Sequence, residues 1–197
     1  MIFPLMILAS CGGGNNRKLL IIANGAISIG RGSITVGDTT NGSANKEIDV
    51  TQSNFTVNNN GVKTTLTIPA DAGFYLYNIS GDTLYGSELV AGRDYNLGHG
   101  LDLDEQKAMI DSVKQVLTGA NISAANKNYL ITNGQIVKLN DDVMHTQVFP
   151  PFNPPTDIKQ ASDGKPSTLF KFYAKDELKQ RLQTIEDSYN GANSTRH

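Results

Sequence analysis

From Leu19 to about Leu97 the chain is divided into short β-prone runs, each separated from the next by turn residues. KLLII, AISIG, SITVG, KEIDVT, NFTV, VKTTLTIP, GFYLYNI and TLYGSELV each have the length and the β-branched or aromatic content of a strand. An isolated hairpin is marginal in water, so eight such runs at this spacing must pair and stack. That restricts this half of the chain to a sandwich or a small barrel. Gly30-Arg31-Gly32, Asn58-Asn59-Asn60-Gly61 and Ser80-Gly81-Asp82 have the composition of hairpin turns. The polar residues agree with this reading. Charged residues are only 18% of the chain, and Gly, Asn, Ser and Thr supply the polarity, as turn-rich β proteins require.

The pattern changes at Asp102. In LDLDEQKAMIDSVKQVLTGAN, Met109, Ile110, Val113, Val116 and Leu117 fall on one helical face. Asp102 with Glu105 forms a capping pair, and Gly119 is a natural stop. NYLITNGQIVKLN then predicts a hairpin turning at Asn133-Gly134. VFPPFNPPTD holds four prolines in ten residues and is expected to be an extended connector, or a strap lying across the surface. KDELKQRLQTIEDSY predicts a second helix with an apolar stripe of Leu178, Leu182, Ile185 and Tyr189. The expected class is α+β: a β-rich N-terminal sandwich or small barrel over 19–97, followed by an α+β part with two helices over 98–190. A frayed tail is expected over 191–197.

The first ten residues, MIFPLMILAS, carry an apolar run without charge that is too short to cross a bilayer as a helix. They read as the apolar part of a secretory signal peptide over 1–10 whose true start lies upstream, because no basic residue precedes the run. Cys11 is the only cysteine, so no disulfide can form within the chain. Leu8-Ala9-Ser10-Cys11 resembles the lipobox of bacterial lipoproteins. The resemblance implies cleavage before Cys11, lipid attachment at its sulfur and acylation (palmitate or a similar chain) of the new amino group. Two or three acyl chains satisfy the requirement for stable anchoring that a single chain fails. Residues 11–18 would then be the lipidated tether. Gly12 after the cysteine, with no acidic run following, suggests by the same resemblance an outer-membrane location facing the periplasm. NISAANKNYLITNGQIVKLN and TLFKFYAKDELKQRL are similar to stretches in a group of Bacteroidota lipoproteins, a resemblance that implies no activity.

The same chain offers little that commits it to catalysis or metal binding. His99 stands near Asp102, Asp104 and Glu105, but carboxylates that open a helix are explained by its dipole and cap. His145 near Asp141 and Asp142 reads as a turn leading into a strand. There is no GxSxG, SxxK or HExxH, and no complete dinucleotide-binding loop. The expectation is a protein without a cofactor or metal, and not an enzyme; a hydrolase using His99 is the less favoured alternative. A net charge of −2 gives no basic face for nucleic acid. GFYLYNISGDTLYG is the densest aromatic stretch and puts Tyr75 and Tyr77 on one strand face, with Tyr85 nearby. Exposed, these three would make a glycan-binding face; buried, they would be packing. The function expected is an anchored structural or accessory subunit, in contact with the membrane through its lipid and with another envelope protein.

Overall fold

The structure is a computed structural model, and it describes residues 16–38, 42–89, 102–120, 122–123, 125, 127–156 and 158–194. Twelve strands and two helices follow in the order β1 (Arg17–Asn24), β2 (Ile27–Gly30), β3 (Ser33–Val36), β4 (Ser43–Asp49), β5 (Asn54–Asn59), β6 (Val62–Thr67), β7 (Gly73–Ile79), β8 (Leu84–Leu89), α1 (Leu103–Leu117), β9 (Asn128–Ile131), β10 (Ile136–Asn140), β11 (Thr146–Phe149), β12 (Thr168–Ala174) and α2 (Lys175–Ser194). All eight runs expected before residue 97 are strands. They are distributed over three four-stranded mixed sheets, none closed into a barrel: β10-β7-β1-β4 in the centre, β2-β3-β5-β6 at the front and β11-β12-β8-β9 beneath the helices.

The three sheets and the helices stack in four layers. In β1, Leu19, Ile21 and Ala23 point into the core shared with the front sheet, while Leu20 and Ile22 point into the core shared with the helix-side sheet. β7 divides the same way, with Tyr75, Tyr77 and Ile79 on one side and Phe74 and Leu76 on the other. A strand buried on both faces needs a continuous apolar run, and LLIIA and FYLY are such runs. The helices cover the outer face of the third sheet. There Tyr85, Tyr173 and Leu178 are buried and Val113, Val116 and Leu117 of α1 pack on them. The capping box of α1 is present: Asp102 accepts from the Glu105 N–H at 2.8 Å, and Glu105 Oε2 accepts from the Asp102 N–H at 3.2 Å.

This arrangement revises four expectations. The boundary at residue 97 does not separate two units, because β10 pairs with β7, and β9 and β12 pair with β8. Neither Ser80-Gly81-Asp82 nor Asn133-Gly134 turns a hairpin. β7 and β10 lie in the central sheet while β8 and β9 lie in the helix-side sheet, so both turns carry the chain from one layer to the other. Arg17 and Lys18, assigned to the tether, already belong to β1. Finally, α2 runs on through Gly191 to Ser194, shortening the expected frayed tail.

The two crossings are held together by Asn78, which is fully buried. Its Nδ2 donates to Asp82 O at 2.7 Å and to Ile131 O at 2.8 Å. Its Oδ1 accepts from the Ser80 N–H and hydroxyl at 3.1 and 2.8 Å. Every donor and acceptor of the amide is therefore used. Gly81 N–H donates to Asn133 Oδ1 at 3.0 Å, tying one turn to the other. On this side the central and helix-side sheets are closed. On the opposite side they end in the edge strands β4 and β11.

Candidate functional site

Of the expected site residues, Cys11 and His99 lie outside the described residues. The tyrosine face is not formed. Tyr75 and Tyr77 do share a face, but that face is packed against the front sheet, and Tyr75 donates its hydroxyl to Asp71 O at 2.9 Å. Tyr85 belongs to a different core, under the helices. No glycan can stack on Tyr75 or Tyr77 in this fold, because a middle strand of the stack offers no open face.

The open side of the molecule has a different character. Between β4 of the central sheet and β11 of the helix-side sheet lies a cleft of about 700 Å³, roofed by the proline-rich segment that follows β11. Its first wall carries Asn16, Lys18, Asn45 and Glu47, with Lys18 and Glu47 paired at 2.6 Å. Glu47 lies on the edge strand β4, where a charge opposes uncontrolled pairing with other sheets. The second wall and roof carry Met144, Val148, Phe149 and Phe152.

The roof is a strap, as the prolines require, and it is fastened at three points. Gln147 pins Lys159: the Lys159 N–H donates to Gln147 Oε1 at 2.9 Å and Gln147 Nε2 donates back to Lys159 O. His145 clamps Asp163. Its Nε2 lies 2.9 Å from Asp163 Oδ1 and its Nδ1 2.6 Å from Asp142 Oδ2, so each ring nitrogen donates to a carboxylate. The Asp163 and Asp142 hydrogen bonds raise the His145 pKa, and the same bond holds Asp163 down at about 2. A histidine so engaged cannot serve as a general base, which needs an unprotonated nitrogen facing substrate. Lys171 makes the third fastening. Only 2% exposed, it donates to Pro150 O and to Glu177 Oε1, both at 2.9 Å. Burial lowers its pKa, and Glu177 opposes that shift.

Between these fastenings the strap presents apolar side chains to solvent. Four large hydrophobic residues are exposed among the described residues, and three of them, Met144 (61%), Phe152 (61%) and Ile158 (47%), lie between β10 and β12. Phe152 follows Pro150-Pro151, and the Asn153 N–H donates to Pro150 O at 3.2 Å. Its φ is +63°, the conformation that a type II turn ordinarily reserves for glycine at this position. A bulky residue there is strained, and residues held in such conformations concentrate at functional sites.

Among the described residues no group of three or more His, Cys, Asp or Glu is placed to hold a metal ion, and no helix is long and apolar enough to cross a membrane. No protein-family model, curated protein or solved structure matches the chain. Gln147 and Phe152, which line the cleft, and Lys171, which fastens its roof, were not singled out by sequence patterns. The proline cluster around Phe152 and the grouping of His145 with Asp142 marked the region, but nothing in the sequence joined His145 to Asp163.

Proposed function

We propose that the protein is a lipid-anchored envelope lipoprotein, held through Cys11 in the outer membrane and facing the periplasm, and that it works as an accessory subunit whose strap-side cleft receives another envelope protein. The observation that carries the reading is Phe152, an aromatic side chain held out in solvent on a strained backbone by a strap fastened on both sides. Exposed aromatic anchors beside a partly apolar cleft suit a protein partner, since such residues dominate binding energy when an interface buries them. The location of the cleft supports the anchored reading. Five residues separate Cys11 from β1, and they reach at most about 18 Å when extended. Asn16 and Lys18 line the cleft itself. A lipid on Cys11 therefore keeps the cleft near the membrane surface, where a second envelope protein would be met.

The test is photo-crosslinking in cells, with the crosslinking residue placed at Phe152, at Met144 and, as a control, at Val62. Val62 is equally exposed but belongs to the front sheet. One dominant partner captured from positions 152 and 144 and absent from 62 is the expected outcome. Equal capture from all three, or none, contradicts the interface. Cys11→Ser should abolish palmitate labelling and release the chain to the soluble fraction; labelling that persists rules out the anchor.

A further inference from the structure

Two sheet edges face the strap-side cleft, and they are not equivalent. β11 has the strap pinned beside it through Gln147 and Lys159. β4 pairs with β1 on one side and is the last strand of the central sheet on the other. The antiparallel register decides which of its backbone groups are left over. Arg17 and Val50 continue that register, and the Val50 N–H donates to Arg17 O at 2.8 Å, which makes them a hydrogen-bonded pair. Bonded and unbonded pairs alternate along an antiparallel ladder, so Ile48, Lys46 and Ala44 also give their N–H and C=O groups to β1. Ser43, Asn45, Glu47 and Asp49 turn theirs outward. Among the described residues, no strand but β1 bonds to the β4 backbone.

The outward groups lie along a groove. Asn45 and Glu47 line the cleft of about 700 Å³, and a second cavity of about 330 Å³ continues it past Ser43, Ala44 and Asn45. Asn45 borders both cavities, as do Pro150, Phe152 and Asn153 of the strap, so the strap runs opposite the strand edge. A row of main-chain donors and acceptors that repeats every second residue is matched by an extended polypeptide, which offers the complementary row at the same spacing. Residues of an added strand opposite Asn45 and Glu47 point to the same side as these, into the groove. The far wall and roof there carry Phe149 and Phe152, which suits apolar side chains at those positions. The positions between them point the other way, beside the exposed Lys46, which suits an acidic residue. The Glu47 charge, which discourages indiscriminate pairing, is met by Lys18 at 2.6 Å and leaves such a strand admissible.

We propose that an extended segment of the partner protein adds to β4 as a fifth strand of the central sheet, its alternate apolar side chains turned to Phe149 and Phe152. The proposal rests on the reading that the strap-side cleft receives another envelope protein, and it names the form in which that protein enters. Proline separates main-chain from side-chain recognition. The Asn45 N–H points away from β1, so Asn45→Pro removes a donor that only an added strand uses, at a place where a sheet tolerates proline. Asn45→Ala removes the side chain and keeps that donor. In cells, capture by a crosslinker at position 152 should fall at least tenfold in Asn45→Pro and stay within about twofold of wild type in Asn45→Ala, with the thermal midpoints of both variants near wild type. The partner segment mapped from the crosslink, made as a synthetic peptide, should slow hydrogen exchange at the Asn45 and Glu47 amides of the purified full chain at least tenfold. The Lys46 amide, already bonded to β1, should change little. Undiminished capture by a folded Asn45→Pro variant, or a peptide that binds without slowing those two amides, overturns strand addition and leaves the partner standing. Equal loss in Asn45→Ala and Asn45→Pro assigns recognition to the side chain and overturns it as well. Amides of Asn45 and Glu47 already protected in the chain alone also overturn it: the edge then belongs to the chain itself, or to a second copy where protection rises with concentration. No capture by the wild type from position 152 overturns both the partner and its strand.

Discussion

Asn78 shows how much of this fold rests on a single amide. Its side chain is buried and donates to two main-chain carbonyls, Asp82 O and Ile131 O, one on each crossing. Asn78→Ala leaves both carbonyls without that donor, and each buried unsatisfied group costs about 1–3 kcal/mol. We expect a loss of about 2–4 kcal/mol in urea unfolding, with an unchanged dependence on denaturant concentration. Asn78→Asp keeps the shape but turns an acceptor toward two acceptors, so it should be at least as damaging as alanine; an aspartate variant of native stability would show that the amide is incidental. Gly86 is a second case. A Cβ there would meet the Phe172 ring at 2.3 Å, so Phe172 lies across the strand only because residue 86 has no side chain. Neither residue was legible beforehand, since the role of each depends on partners that only the folded chain brings together.

Elements were easier to read than their partners. The eight strands, the capping box of α1 and the apolar stripe of α2 follow from local rules, namely period, cap and turn chemistry. What local rules do not fix is which sheet a strand joins. Asn133-Gly134 reverses the chain as its composition demands, yet the reversal leads from β9 in one sheet to β10 in another. Similarly, alternation in GFYLYNI gives the correct faces, while the absence of any charge in it was the sign that both faces are buried. The strap is the element whose stability should respond to pH. His145 has a raised pKa, so its contribution is complete below its unfolded value of about 6.5 and is lost as pH rises through the folded value. Asp163 and Asp142 have lowered pKa values, so their contribution is complete above about 3.9 and is lost as pH falls, for Asp163 through about 2. The clamp is therefore strongest between about pH 4 and 6.5. Thermal midpoints of the wild type and His145→Asn, measured from pH 4 to 9, should differ most in that window and converge above it. A constant difference would mean that the ion pairs contribute nothing specific.

At the scale of the whole molecule the two ends of the central stack are unequal: one is closed by the Asn78 crossings, and the other is left open and bridged by a fastened strap. A fold selected only for stability has no reason to hold Phe152 in a left-handed conformation with its ring in water. Placing a non-glycine residue there costs about 1–2 kcal/mol, while glycine costs about 0.5–1 kcal/mol in unfolded-state entropy. The exposed ring contributes little burial to offset the difference. Phe152→Gly should therefore leave the thermal midpoint unchanged or slightly higher, and in the same protein it should cut partner capture by at least tenfold. The opposite signs separate the two explanations of this residue. A structural Phe152 would lose stability on replacement, and a Phe152 without a role would lose neither property. Only an interface residue gives up binding while the fold keeps or gains stability.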